Sequence, residues 1–130
     1  MNYQKIINDF ETNNFWNFMG FKLIEINHGT SVIELKSRTE LDNTQQVLHG
    51  GAIMSLMDTS MGIAVRSLGA EKVSTIQLEI RFIESVISGS INAVSNVIHE
   101  LKNTCIVECR VTNNLGNLIA FSTSTFKKLK

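Results

Sequence analysis

The segment VLHGGAIMSLMDTSMGIAV, residues 47 to 65, constrains the fold more than any other part of the chain. From Gly50 to about Leu68 the sequence reads as one long helix, with Ile53, Leu56, Met57, Met61, Ile63 and Val65 spread over nearly all its sides. A helix that is apolar around most of its circumference has to be enclosed. No apolar run reaches the ~18–20 residues of a bilayer span, so the rest of the chain must do the enclosing. One formal charge, Asp58, stands between His49 and Arg66. Taking an unpartnered carboxylate out of water is costly, so Asp58 needs either partners or a task.

The flanking sequence supplies the wrapping. After the helix come VSTIQLEIRFI, SINAVSNVIHEL, NTCIVECRVTNN and NLIAFSTSTFKKL, all rich in β-branched residues. Their links read as short (ES, KN, LG), which predicts antiparallel hairpins. Before the helix, Ile6, Ile7 and Phe10 have helical spacing and predict a short amphipathic helix over about 2–12. FWNFMGFKLIEINHG then shifts to extended character and TSVIELKS alternates, a hairpin over roughly 20–28 and 30–37. RTELDNTQQVL is polar and aperiodic, a loop. The sum is an α+β chain, an antiparallel sheet of about six strands wrapped around a long central helix. With no proline, repeat or low-complexity linker, residues 1–130 are expected to form a single domain.

Composition narrows the function classes. Twelve Lys+Arg balance twelve Asp+Glu, so no basic field draws nucleic acid or anionic lipid. Hydrophobic residues make up 43% of the chain, too many for a disordered protein. The start, MNYQKIINDFETNN, lacks the basic and apolar regions of a signal peptide, and a cytoplasmic location without membrane contact is expected. Cys105 and Cys109 share one face of a predicted strand, roughly 13 Å apart at ~3.3 Å per residue. That separation is too large for a disulfide, and no zinc-ligand spacing accompanies them, so both read as buried structural thiols. His28 and His99 fall on distant strand segments, which leaves His49 without partners for a metal. No metal and no cofactor are expected.

Asn43, His49, Gly50, Gly51 and Asp58 form a pattern: an asparagine, five residues, HGG opening the buried helix, and an acid eight positions beyond Gly50. With this element order, the chain resembles the hotdog-fold thioesterases, specifically the PaaI-like (4HBT-type) acyl-CoA thioesterases, over nearly its whole length. TIQLEIRF and GNLIAFSTSTF are weaker echoes, and RFIESV departs from a family that often carries proline there. The resemblance implies a hotdog fold and hydrolysis of an acyl- or aryl-CoA thioester to free acid and CoA. It implies that Gly50 N–H polarises the thioester carbonyl and that Asp58 acts as general base or nucleophile. Asn43 would orient water or the carbonyl, and a hydroxyl early in the third strand would partner Asp58. Aligned with the family pattern, that hydroxyl is Thr75. Ile76, Leu78, Ile80 and Phe82 form the apolar face, which Ser74 would share and Thr75 would not; Thr75 is retained, with Ser74 as its rival. A hotdog hydratase or dehydratase and a non-catalytic acyl-CoA-binding module are the other readings.

The residues agree with this chemistry. A helix N-terminus leaves N–H donors free and carries partial positive charge, which suits a developing oxyanion. A glycine at position 50 lets substrate approach the backbone. A carboxylate in an apolar pocket is expected to be a stronger base, because desolvation disfavours its charged form. His49, at the helix edge, is expected to buttress the loop and orient the Gly50-Gly51 turn. Met54, Met57 and Met61 suit an acyl chain and a helix core equally, and the terminal KKLK reads as a solvated end. Gly50 and Asp58 are eight residues apart on one helix, roughly 12 Å at ~1.5 Å per residue. Two groups serving one carbonyl should each lie within about 3–4 Å of it. The spacing therefore predicts a homodimer, or a dimer of dimers, in which Gly50 of one copy faces Asp58 of another.

Overall fold

A computed structural model describes residues 2–129. Two short helices, α1 (Gln4–Glu11) and α2 (Asn14–Met19), precede the hairpin β1 (Lys22–Asn27) and β2 (Thr30–Lys36). A single 3-10 turn at Thr39–Leu41 leads into α3 (Gly50–Arg66), followed by β3 (Lys72–Phe82), β4 (Ser90–Glu100), β5 (Thr104–Asn113) and β6 (Leu118–Leu129). The strands form one antiparallel sheet in the order β1-β2-β4-β5-β6-β3, and α3 lies across one face of it. This is the six-stranded hotdog arrangement the sequence predicts. Ile53, Leu56, Met57, Met61, Ile63 and Val65 are all buried. No helix among the described residues is long and apolar enough to cross a membrane.

Two expectations need correction. The segment 15–19, read as the start of extended chain, lies in helix α2. Asn13 caps it, its side chain accepting from Trp16 N at 2.9 Å, and Gly20 closes it in the left-handed conformation at φ 77°. Trp16 and Met19 then fall on one buried face, so local capping overrides the run's extended appearance. Secondly, β3 and β4 do not form a hairpin. Seven residues, 83–89, rather than ES alone, separate them, and β3 pairs with β6 while β4 pairs with β2 and β5. The connection is pinned on the way: Val86 is buried and its carbonyl accepts from Leu48 N at 2.8 Å. β3 is thereby left at the end of the sheet.

The C-terminal half of α3 is fastened by hydroxyls. Ser31, Ser95 and Ser122 lie on the helix-facing side of β2, β4 and β6, in register with one another through Cys109 of β5. Ser31 Oγ donates to Ser60 O at 2.6 Å, and Ser95 Oγ donates to Ser60 Oγ at 2.7 Å. Ser67 Oγ accepts from Gly29 N at 2.7 Å. Small polar side chains let the helix approach the sheet while every buried hydroxyl keeps a partner. At the helix end Arg66 is buried, donates to Asp9 Oδ2 at 2.9 Å and lies over the Phe10 ring, which ties α1 down. The Arg66 guanidinium, and Lys5 after it, hold the Asp9 carboxyl below the ordinary carboxylate range. Cys105 and Cys109 are free and buried, and burial pushes the Cys109 thiol up to about 12 despite the Ser95 hydroxyl beside it.

Candidate active site

The N-terminal end of α3 is built differently. The loop before it is held by backbone hydrogen bonds, His49 N donating to Leu41 O and Leu48 N to Val86 O, both at 2.8 Å. His49 is the N-cap, with extended backbone (φ −62°, ψ 135°), and its Nδ1 accepts from Gly51 N at 2.7 Å. Ala52 N donates to His49 O at 2.9 Å. That leaves Gly50, whose N–H has no hydrogen-bond partner among the described residues. The cap thus leaves one donor of the first turn unused, at the positive end of the helix.

Gly50 lies against Phe82. A side-chain carbon at Gly50 would sit 3.5 Å from the Phe82 ring. The two line a cleft of about 250 Å³ with Asn43, Val47, Ile53 and Glu84. Asn43 Oδ1 accepts from Gln45 N at 2.8 Å and from Val47 N at 3.3 Å. This oxygen shapes the turn, so the amide nitrogen is the part of Asn43 that can serve the cleft.

Asp58 is half-buried in this chain rather than enclosed, at the open edge of the sheet beside β3. Its Oδ1 accepts from Thr75 Oγ1 at 2.7 Å. The parity conflict on β3 has a physical resolution. The register with β6 shifts between Thr75 and Gln77, a β-bulge at Ile76. Before the bulge Val73 lies near Gly62 of α3 and Thr75 reaches Asp58. After it, the partly buried Leu78 and Ile80 join the core. Ile76 itself is 56% exposed, so it does not belong to the apolar face the alternation assigned it to. The extra residue re-aims the strand, as bulges do. Ser74 is exposed and makes no hydrogen bond to Asp58 among the described residues.

Sequence reasoning thus finds six groups that the structure distributes over two places, with Asn43, His49, Gly50 and Gly51 at the helix start and Asp58 with Thr75 two turns on. It missed Phe82 as a wall beside Gly50. The break in alternation between Thr75 and Ile76 was itself the visible sign of the bulge.

The arrangement matches known proteins along most of its length. The sequence model of the thioesterase superfamily matches residues 45–120, and the chain belongs to that family. It is a thioester hydrolase of the PaaI-like kind with a hotdog fold. Acyl-coenzyme A thioesterase PaaI of Escherichia coli (strain K12) is 26% identical over 103 residues, 78% of this chain and 73% of the relative. The structure of the E. coli PaaI protein superposes with a TM-score of 0.93 at 21% identity, covering 98% of this chain and 93% of that one. A conserved protein from Pseudomonas aeruginosa superposes with a TM-score of 0.87 at 27% identity, covering 93% and 98%. The 1,4-dihydroxy-2-naphthoyl-CoA hydrolase of Listeria monocytogenes is 24% identical over 109 residues, 82% of this chain and 89% of the relative.

Proposed function

We propose that the protein hydrolyses acyl- or aryl-CoA thioesters to the free acid and CoA, at sites shared between two copies. The carrying observation is that both halves of the site rest on one edge strand, paired with β6 on one side and open on the other. Gly50 lies against Phe82 and Asp58 is bonded to Thr75, near opposite ends of β3. β3 is an edge of eleven residues with exposed Ile76 and Phe82 on it and Ile83 just beyond. A long apolar edge invites pairing. Antiparallel pairing of two β3 strands about a twofold axis near Leu78 would bring Phe82 and Gly50 of one copy beside Thr75 and Asp58 of its partner. The roughly 12 Å between the two groups on one helix then ceases to be an obstacle.

In this site the thioester carbonyl accepts from Gly50 N–H, the donor left unused by the cap. The Asp58 carboxylate either takes a proton from water as the water adds to the carbonyl carbon, or adds to that carbon itself. In the second route a mixed anhydride forms and water then cleaves it. Either way the C–S bond breaks and the CoA thiolate takes up a proton. Thr75 holds one carboxylate oxygen so that the other faces substrate, and Asn43 orients water or the carbonyl. The CoA portion is supported by the PaaI and naphthoyl-CoA relatives, whose names describe CoA thioester hydrolases. Residues 1–130 act as one such unit, and two free cysteines suit a reducing, cytoplasmic setting.

The test is thiol release from a panel of acyl- and aryl-CoAs, with two variants. Asp58→Ala removes the carboxylate. Gly50→Pro removes the N–H and sets ring carbons against Phe82, while the helix start is kept, because proline suits the first helical position and the extended His49 backbone already fits a following proline. Each variant alone is expected to be impaired, and refolding them together should restore activity in the mixed dimers. Saturable binding without hydrolysis would make the protein a binding module, and hydration of an enoyl-CoA would make it a hydratase. Full activity in a verified monomer would overturn the shared site.

A further inference from the structure

Helix caps are usually Ser, Thr, Asn or Asp, side chains that keep their acceptor oxygen throughout the neutral range. The cap of α3 is an imidazole instead. His49 Nδ1 can accept from Gly51 N–H only while that nitrogen carries no proton, which places the proton of the neutral ring on Nε2. We propose that His49 is a positioning residue, a cap whose protonation state sets the aim of the Gly50 N–H. The proposal rests on the reading of Gly50 as the oxyanion donor.

Protonating Nδ1 turns an acceptor into a donor that faces another donor. It also places positive charge at the positive end of the helix dipole. The ring has to leave Gly51, and the first turn loses the contact that orients it. Gly50, between cap and capped residue, shares that change. Glycine at position 51 is part of the device: a side-chain carbon there would sit 3.0 Å from His49 Nδ1 and push the ring off its bond. The cap is exposed, so protons reach it freely. It borders a second cleft, where the charged neighbours are Glu40 and Asp42, while Phe15 and Met19 from α2 and Ala52 and Ser55 from α3 bring no charge. Histidine is the side chain that ordinarily changes charge between about pH 5 and 8, and once Nδ1 carries a proton the donor is expected to lose its aim.

The experiment follows the Gly51 amide by NMR between pH 8 and 5 in the full chain, alongside the ring signals of His49. The expected result is that the Gly51 shift and its protection from exchange change together with ring protonation. In His49→Asn, whose cap does not titrate in that range, the Gly51 amide should stay constant. A Gly51 amide indifferent to ring protonation would overturn the proposal. Hydrolysis supplies the second readout. The wild-type rate should fall roughly 2- to 30-fold along an acid limb that tracks the ring, the rate equivalent of an ordinary cap. In His49→Asn that limb should shift to more acidic pH, whatever the variant's plateau. An identical limb in both proteins would also overturn it. Should the wild type hydrolyse no thioester while the Gly51 amide still follows the ring, the proposed reaction fails and the titrating cap stands.

Discussion

The two halves of α3 obey different rules. From Ser60 to Ser67 every residue is buried, and hydroxyls from β2 and β4, a backbone N–H at Gly29 and a carboxylate from α1 fasten it. From Gly50 to Asp58 the inward side is equally well packed by Ile53, Leu56 and Met57. Its other side is open, with Met54 40% exposed and Gly51, Ser55 and Asp58 half-buried. One half anchors and the other presents. A helix fixed at its far end and along one stripe can leave a donor unused and a carboxylate part-exposed without losing its place. Function then occupies the side that stability does not need.

The sharpest break of this comparison is to strike each side in turn. Asp58→Asn removes a group with a single side-chain partner among the described residues, Thr75. Hydrolysis should fall on the order of 10²–10⁴-fold, as expected for loss of a general base, while the melting temperature stays near that of the wild type. Leu56→Ala, on the inward side of the same helix, is expected to do the reverse. Leu56 is fully buried, so denaturant unfolding should show a loss of about 2–5 kcal/mol, with the surviving folded fraction still active. If Asp58→Asn unfolded the chain instead, the division between presenting and anchoring sides would fail.

A smaller effect tests the bulge. Thr75→Val removes a hydroxyl bonded to a carboxylate, and kcat should drop by roughly ten- to a hundredfold. Ser74→Val, on the exposed side of the same strand, should leave kcat unaltered. Equal effects at the two positions would mean that β3 is not kinked at Ile76.

The smallest effect is on the anchoring side and depends on pH. The Asp9 carboxyl is held below its ordinary range by Arg66 first and Lys5 second. A carboxyl with a lowered folded-state pKa stabilises the fold above the unfolded value and loses that contribution as pH falls through the lowered one. Asp9→Asn should therefore melt slightly below the wild type at neutral pH. The gap should begin to close near pH ~4, the ordinary carboxylate value, and vanish only at more acidic pH. Asp9 is exposed, so a small gap is expected, and a gap that widened on acidification would contradict the pairing.

Much of this was legible in the sequence because it is periodic or local. The all-round apolar pattern from Ile53 to Val65 required a wrapped helix, and the β-branched runs supplied the wrapping. HGG marked the helix start because a cap and a free donor are matters of three adjacent residues. What was not legible depends on non-local geometry. The link after Ile83 looked like a hairpin because nothing in ESVISG announces that Val86 plugs into Leu48 and carries the chain past two strands. Helix α2 was hidden by aromatic residues that favour strands, although Asn13 and Gly20 bracketed it. The openness of Asp58 could not be read from its apolar neighbours, since it depends on which side of α3 the sheet covers.

The two cysteines give the molecule an experimental convenience. Both are fully covered, and a thiol driven up to about 12 by burial, as at Cys109, stays protonated and poorly nucleophilic at working pH. The folded protein should be nearly silent toward thiol-reactive dyes. Any sulfhydryl that appears in a reaction mixture then belongs to the product, and a slow rise without substrate reports unfolding. The chain carries its own blank.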